Sequence, residues 1–322
     1  MPLGWATVEI APALLPDALR PGDQVMLVSP SGPTRPERVE RGIELLTSWG
    51  LKVVSAPHVF DRRGYLAGHD DDRLADLNLA LRSPEVRGVL CTRGGYGVQR
   101  IVDGLDIDAV RADPKLVVGF SDITALQLAL WRGARLATLH GPGAAWLDER
   151  TGPSSAESLR AAMMASVPAV ITARPDEETA PIRMVTASGP GTGTILGGNL
   201  SLLTATVGTP DMPPMAGSIL LLEEIGEPPY KVDRMLLHLR RAGAFAGVAG
   251  IAIGQFTDCA DGWTTSIVDV LQDHLAPLGV PVLGGLPIGH GRDQLTIPVG
   301  VTATVDPAAG TLTVAPATRA LG

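Results

Sequence analysis

Three residues in this 322-residue sequence could together perform nucleophilic catalysis: Ser121, Glu223 and His290. Ser121 follows the apolar run Lys115 to Phe120 at a predicted strand-to-helix turn. The free N–H groups and the dipole of a helix N-terminus favour developing negative charge there. The turn resembles a nucleophile elbow, although Ile123 replaces the final glycine of the usual G-x-S-x-G pattern. Serine is also a favoured N-cap residue, so this position fits either a nucleophile or a helix cap.

A nucleophilic serine needs a base, and the base needs a carboxylate that orients it. His290 lies between two glycines, which is typical of a loop; the alternative is an ordinary surface histidine. Glu223 follows the apolar run Ile219 to Leu222, where a carboxylate is costly unless it is paired or reaches solvent. Strand alternation places the neighbouring Glu224 on the opposite face. The sequence thus offers a nucleophile, an acid and a base in that chain order.

A glycine-rich turn, Arg93-Gly94-Gly95-Tyr96-Gly97, follows the predicted strand Arg87 to Thr92. Its backbone N–H groups, together with that of Asp122, could stabilise an oxyanion. The alternative is a tight turn that uses glycine for positive φ. The turn lacks the G-K-[ST] sequence of a nucleotide P-loop.

Several other chemistries fit the sequence poorly. No H-E-x-x-H motif occurs and the six histidines are scattered, which disfavours a zinc peptidase. Asp70, Asp71 and Asp72 next to His69 are better explained as solvated charges in a first helical turn than as a metal site. With 26 basic against 34 acidic residues, the net charge of −8 argues against a nucleic-acid partner.

The order of predicted elements indicates an α/β protein of two domains. In the first half, short apolar runs alternate with amphipathic segments, including a helix with Val98, Ile101, Val102 and Leu105 on one face. Ligands of such parallel sheets bind beyond the carboxyl ends of the strands. Proline and glycine become frequent after the first half, so we predict domains at 1–150 and 185–322 with a linker at 151–184. The amino terminus lacks signal-peptide features and no segment is suited to span a bilayer, so we expect a cytoplasmic protein.

Ordered motifs along nearly the whole chain carry a family resemblance. The sequence resembles the LD-carboxypeptidase family, which includes muramoyltetrapeptide carboxypeptidases and the microcin C immunity peptidases. The matching segments are Ser29-Pro30-Ser31-Gly32, Arg93-Gly94-Gly95-Tyr96-Gly97, Gly119-Phe120-Ser121-Asp122-Ile123-Thr124, Gly197-Gly198-Asn199-Leu200-Ser201-Leu202-Leu203, Leu222-Glu223-Glu224-Ile225-Gly226-Glu227 and Leu286-Pro287-Ile288-Gly289-His290.

The resemblance implies a flavodoxin-like N-terminal domain with a parallel sheet and a swivelling-type β/α C-terminal domain. It implies a triad of Ser121, Glu223 and His290, a cleft at the domain junction, frequent homodimers, and no metal or cofactor. The implied substrate is a cytoplasmic murein tetrapeptide that loses its terminal D-alanine during peptidoglycan recycling. The oxyanion donors would be the N–H groups of Asp122 and of Gly94 or Gly95.

The substrate's terminal carboxylate needs a cation, for which Arg93 and Arg292 are candidates, with Tyr96 as a further contact. Two alternatives to a murein carboxypeptidase stay open at this point. One is an amide hydrolase that inactivates a peptidyl-nucleotide antibiotic, and the other is a non-catalytic muropeptide-binding module. The family's common tyrosine is replaced here by Phe120, whereas the complete glycine-rich turn looks more like the murein enzymes.

Overall fold

Two β-sheets flanked by helices form the described part of the chain, which in this computed structural model comprises residues 12–147, 151–260 and 265–320. The predicted mixed α/β class is confirmed. The strands are β1 Gln24–Val28, β2 Lys52–Ser55, β3 Val86–Cys91, β4 Leu116–Gly119, β5 Thr138–His140, β6 Ala169–Thr172, β7 Arg183–Met184, β8 Gly191–Asn199, β9 Ser218–Ile225, β10 Gly250–Thr257, β11 Val282–Leu283, β12 Ile297–Val299, β13 Thr302–Asp306 and β14 Thr311–Val314. The α-helices are α1 Pro36–Ser48, α2 Asp70–Arg82, α3 Ile107–Ala112, α4 Ile123–Ala134, α5 Pro153–Met164, α6 Leu200–Thr206, α7 Pro229–Arg241 and α8 Ile267–Leu275.

The first sheet has six strands in the order β2-β1-β3-β4-β5-β12. Strands β1 to β5 pair with one another in parallel, as in the doubly wound flavodoxin-type order. Strand β12 comes from the far end of the chain and pairs antiparallel with β5. The carboxyl ends of β3 and β4 therefore meet at one edge, where the glycine-rich turn and Ser121 follow them.

The second sheet has eight strands in the order β6-β14-β13-β8-β9-β10-β11-β7. Its centre, β8 to β11, is parallel, and the outer pairs are antiparallel. The central strands β9 and β10 are buried along almost their whole length, which explains their continuous apolar sequences. Glu223 lies in β9, and its side chain is therefore buried within this core.

Two sequence predictions differ from the structure. The segment after Gly97 forms short 3-10 turns instead of an α-helix, and the Val98 N–H donates to the Asp122 carboxylate. The apolar spacing predicted burial correctly for Val98, Ile101 and Leu105, whereas Val102 is only partly buried. The spacing of apolar residues shows which of them face the core, but it does not fix the backbone conformation. Here the Val98 N–H bonds to Asp122, a residue that lies 24 positions later in the chain.

The predicted linker at 151–184 contains α5, β6 and the two-residue strand β7. Strand β6 pairs with β14 and β7 pairs with β11, so both become edge strands of the second sheet. The Gly-rich segment that follows forms the nine-residue strand β8, which the sequence analysis did not assign as a strand. The division into domains at 1–150 and 185–322 stays a prediction. Within the described residues, no helix is long and apolar enough to cross a membrane.

A buried arginine joins the loops that follow β1 and β3. The Arg73 side chain is fully buried, and its guanidinium donates to the carbonyls of Pro30 and Gly97. It also donates to the Asp70 carboxylate at 2.6 Å. Hydrogen bonds from Arg100 and Arg73 lower the pKa of Asp70 to about 2, so this anchor stays charged. Arg73 thus fixes the far end of the glycine-rich turn relative to the first sheet.

We expect Arg73→Leu to lower the free energy of unfolding by about 2–4 kcal/mol, because buried carbonyls and a carboxylate lose their donor. Urea denaturation measures this. Arg82→Leu is the matched control: the Arg82 side chain is 60% exposed where it pairs with Asp106, so the expected loss stays under about 1 kcal/mol. Equal losses for both variants would contradict the anchoring role of Arg73.

Candidate active site

Ser121 lies in a strained turn between β4 and α4. Its φ is 65°, one of four positive values at non-glycine positions in the described residues. Gly119 permits the turn, since a Cβ there would lie 2.7 Å from the Ile123 side chain. Across the described residues the Ser121 hydroxyl makes no hydrogen bond, and the N-cap of α4 is Asp122. The helix-cap explanation for Ser121 is therefore wrong, and the turn has the backbone form of a nucleophile elbow.

The Asp122 side chain holds this turn in place. Its carboxylate accepts hydrogen bonds from the Ser31 hydroxyl at 2.6 Å and from the Val98 N–H at 3.0 Å. Burial raises the pKa of Asp122, and the two donors oppose that rise. These bonds tie the Ser121 turn to the loops that follow β1 and β3.

The glycine-rich turn lies directly against Ser121. A Cβ on Gly94 would come within 2.7 Å of the Ser121 Cβ and 3.1 Å of the Asp122 N. Gly95 has φ 130° and packs on Gly32, whose backbone would be 3.2 Å from an added Cβ. Among the described residues, the N–H groups of Gly94, Gly95 and Asp122 donate no hydrogen bond. Backbone donors are thus available beside the serine hydroxyl.

Glu223 and His290 form a buried hydrogen-bonded pair. The Glu223 Oε2 and His290 Nδ1 atoms are 2.7 Å apart. Glu223 is 0% exposed and His290 is 7% exposed. Gly289 precedes the histidine with φ 133°, and a Cβ on it would lie 2.8 Å from Glu223 Oε2. A glycine is therefore required for the loop to approach the carboxylate this closely.

The two partners shift each other's ionisation. Burial disfavours the Glu223 charge, but its polar neighbours together outweigh burial and lower the pKa of Glu223; the charge and hydrogen bond of His290 contribute most, followed by His140 and Asn199. Burial likewise works against protonated His290, yet the Glu223 carboxylate outweighs it and raises the pKa of His290 above its ordinary value of 6.5. The pair therefore favours an ionised acid beside a basic imidazole, as expected of a general base with an orienting carboxylate.

Aromatic rings connect the serine turn to the histidine. The Phe120 ring, next to Ser121 in the chain, lies 4.7 Å from the His290 ring, measured between centroids. Trp146 packs edge-on against Phe120 at 5.2 Å and against His290 at 6.2 Å. The structure thus brings the Ser121 turn and His290 close together, although they are far apart in the sequence.

Glu224 has a different environment from Glu223. Its carboxylate accepts from the Asn199 side chain at 3.0 Å and from the Ser201 N–H at 2.8 Å. It also accepts from the Ser201 hydroxyl and the Ile225 N–H. Burial raises the pKa of Glu224, against the effect of these donors. Strand alternation correctly separated the two carboxylates: Glu224 holds the start of α6, and Glu223 meets His290.

The predicted substrate contacts lie at the surface. The Arg93 side chain donates to the Gly94 carbonyl at 3.1 Å. Tyr96 is 54% exposed and stands edge-on to Tyr65, with ring centroids 5.5 Å apart. Arg292 is exposed, and its carbonyl accepts from Gln255 at 3.5 Å. Substrate binding by Arg93, Tyr96 and Arg292 stays a prediction.

A metal bound by Asp70 next to His69 does not fit the structure, because Asp70 is paired with Arg73 and Arg100. His58, Asp61 and Asp72 are the only metal-suited group found among the described residues, with ligand atoms within 4.8 Å of one another. This group shares no residue with the Ser121, Glu223 and His290 set.

Comparisons with known proteins decide the family. Residues 25–141 match the family model of the LD-carboxypeptidase N-terminal domain, and residues 192–305 match that of the C-terminal domain. The chain belongs to the LD-carboxypeptidase family. Its relatives' names and this membership make it a serine carboxypeptidase, which argues against a non-catalytic binding module.

Relatives of this LD-carboxypeptidase include a probable murein peptide carboxypeptidase of Bacillus subtilis, 36% identical, with 91% of this chain and 92% of that protein covered. The murein tetrapeptide carboxypeptidase of Pseudomonas aeruginosa is 33% identical, with 88% and 93% covered. Among solved structures, MccF in complex with glutamyl sulfamoyl guanosine superposes with a TM-score of 0.85 at 26% identity, covering 94% of this chain and 98% of that one.

The positive φ of Ser121 predicts an unusual order of stability. We expect Ser121→Gly to be more stable than Ser121→Ala by about 1 kcal/mol, because only glycine adopts this conformation without strain. Thermal or urea unfolding of the two variants measures the difference. An Ser121→Ala protein as stable as Ser121→Gly would show that the turn stores no strain.

Proposed function

We propose that this protein is a serine LD-carboxypeptidase that releases the terminal D-alanine from murein tetrapeptides in the cytoplasm, during peptidoglycan recycling. The observation that carries the proposal is the buried Glu223–His290 pair beside the strained Ser121 turn. The murein peptide and murein tetrapeptide names of two relatives support the substrate. From the family resemblance we also propose a homodimer, two domains with a cleft at their junction, and a reaction without a metal or cofactor.

In the first step, the Ser121 Oγ attacks the scissile carbonyl carbon while His290 Nε2 takes the hydroxyl proton. Glu223 Oε2 accepts the Nδ1 proton of His290, which fixes the tautomer that leaves Nε2 free as a base. The carbonyl oxygen becomes an oxyanion. The unpaired N–H groups of Asp122 and of Gly94 or Gly95 stabilise that charge.

In the second step, the tetrahedral intermediate collapses and the C–N bond to D-alanine breaks. His290 gives its proton to the leaving amine, and an acyl-enzyme ester remains on Ser121. A water molecule then attacks the ester, with His290 again as the base, and the Ser121 hydroxyl is restored. The strained turn keeps the hydroxyl away from helix hydrogen bonds throughout.

One feature favours a second candidate: an amide hydrolase acting on a peptidyl-nucleotide antibiotic. Trp146 is partly exposed and lies beside His290, where an aromatic ring could stack on a nucleobase. MccF, named the microcin C7 self-immunity protein in Escherichia coli, is a 28% identical relative. Trp263 is a second tryptophan that could stack on a base, and it lies outside the described residues.

Mass spectrometry of a murein tetrapeptide incubated with the protein tests the proposal, with EDTA in every sample. We expect the wild type to remove one alanine and Ser121→Ala to remove none, since the variant lacks the attacking oxygen. Circular dichroism confirms that the variant is folded. An active Ser121→Ala protein would disprove the mechanism. An intact tetrapeptide with folded wild type, together with cleavage of an aspartyl sulfamoyl adenosine, would favour the second candidate.

The neighbouring carboxylates provide a matched pair for the role of the acid. We expect Glu223→Gln to lower kcat by about 10³–10⁴-fold, because it removes the charge that stabilises protonated His290. Glu224→Gln lowers the unfolding free energy and leaves kcat within about threefold, since Glu224 bonds to the start of α6. Steady-state kinetics and urea denaturation measure both. The reverse pattern would make Glu224 the acid of the triad.

The raised pKa of His290 sets the pH dependence. The base is active only when neutral, so kcat/KM falls as the pH drops through a value above 6.5, the ordinary histidine pKa. In Glu223→Gln we expect the acid limb of the residual activity to shift to a lower pH, because the carboxylate no longer favours the imidazolium. A wild-type acid limb below the ordinary histidine value would contradict this account of the pair.

A further inference from the structure

His140, which the sequence analysis did not single out, lies fully buried at the end of β5, next to the Glu223–His290 pair. Neither ring nitrogen of His140 has a hydrogen-bond partner among the described residues. The outer oxygen of the neighbouring carboxylate, Glu223 Oε1, is also buried and unpaired. His140 Nε2 lies 3.9 Å from that oxygen. Buried polar groups without partners are rare and costly, so two facing each other point to a shared role.

The surroundings of His140 direct one nitrogen toward Glu223. Gly198 lies on the Nδ1 side, where an added Cβ would be 3.2 Å from both Nδ1 and Cε1. The same added Cβ would be 2.7 Å from the Thr124 hydroxyl oxygen. The Phe120 ring stands edge-on at 6.3 Å. Nδ1 thus faces a close glycine backbone, while Nε2 faces the carboxylate.

His140 is neutral, which suits it to donate a hydrogen bond. Burial is the main cause that lowers its pKa to about 4, so the ring is neutral at neutral pH. The titratable groups that act on it are Glu223, from β9, and His290, from the loop after β11; Glu224 in turn acts on His290. A neutral imidazole carries one N–H, which can stabilise a carboxylate without adding a net charge to the site.

We propose that His140 is a positioning residue of the active site, whose neutral ring points its Nε2–H at Glu223 Oε1 in the free protein and donates a full hydrogen bond to it when substrate is bound. The distance of 3.9 Å closes by a small rotation of the Glu223 carboxyl group or the ring. Catalytic hydrogen bonds are often long before substrate binds. Glu223 is then held at both oxygens, by His290 at Oε2 and by His140 at Oε1. This inference rests on the proposed function, in which Glu223 must stay ionised while His290 carries the proton.

Two substitutions separate donation from packing. His140→Phe keeps a ring but has no donor, whereas His140→Gln keeps an N–H group. We expect His140→Phe to lower kcat by about 10–100-fold with KM within about threefold, because ground-state binding is untouched. Its acid limb of kcat/KM moves up by about one pH unit, since the pair takes up a proton more readily when Glu223 loses a donor. In His140→Gln we expect the acid limb to lie at its wild-type pH and kcat to be close to that of the wild type.

The control is His274→Gln, which changes another buried histidine, one paired with Asp233. It leaves the acid limb in place. If His140→Phe and His140→Gln lose the same activity with an unmoved limb, His140 acts only by packing and the proposal is overturned.

Nitrogen-15 NMR of the wild-type protein without substrate tests the same proposal independently of activity. We expect His140 to be neutral at pH 7 with its proton on Nε2, and the His290 titration to move upward in His140→Phe. A proton on Nδ1 of His140, or an unmoved His290 titration, would overturn the proposal. These readouts need no turnover, so they hold even if the murein peptide is not the substrate. Failure of the tetrapeptide assay with the expected NMR result would reject the proposed function alone.

Discussion

The Glu223 carboxylate is a charge with no access to water, and the site is arranged around the need to compensate it. An isolated carboxylate in such a place would become protonated rather than stay charged. His290 meets one of its oxygens at 2.7 Å, and the histidine reaches it only because Gly289 carries no side chain. The same burial that makes the charge costly also makes its effect on His290 strong, because little solvent screens it.

The two sheets bring this pair to the serine. In the first sheet, the parallel strands β3 and β4 end side by side, which places the glycine-rich turn against Ser121. In the second, Glu223 lies in the buried part of β9 near its carboxyl end, and the loop after β11 supplies His290. Side-chain contacts join the two sets, since Phe120 packs on the His290 ring. Both halves of the chain are therefore needed to assemble one site.

The strands that carry the site and its three central residues could be predicted from the sequence. Continuous apolar runs predicted β4 and β9, and the motifs placed Ser121 after β4, Glu223 toward the carboxyl end of β9 and His290 in a loop. Strand alternation distinguished Glu223 from Glu224, which the hydrogen bonds of Glu224 to α6 bear out. The positive φ of Ser121 was not accessible, because it depends on how the turn packs against Gly94.

Strand β8 and the roles of His140 and Trp146 could not be predicted, because they depend on contacts between segments that are distant in the sequence. The spacing of apolar residues gives no information about such contacts. Strand β8 is rich in glycine because its neighbours approach closely; a Cβ on Gly193 would lie 2.1 Å from the Gly217 carbonyl oxygen. Its composition therefore resembled a loop. His140 gave only a weak signal, a histidine at the end of a short apolar strand, and its role follows from its distance to Glu223. Trp146 likewise gained meaning only from its contacts with Phe120 and His290.

The central claim is that Ser121 is a nucleophile activated by the Glu223–His290 pair. Covalent labelling with a fluorophosphonate, followed by peptide mapping, tests it most directly, because the reagent reports the reactive hydroxyl whatever the natural substrate. The account predicts a single adduct on the peptide that contains Ser121, formed more slowly as the pH falls and His290 becomes protonated. An adduct at another residue, or none on folded protein at neutral pH, would contradict it.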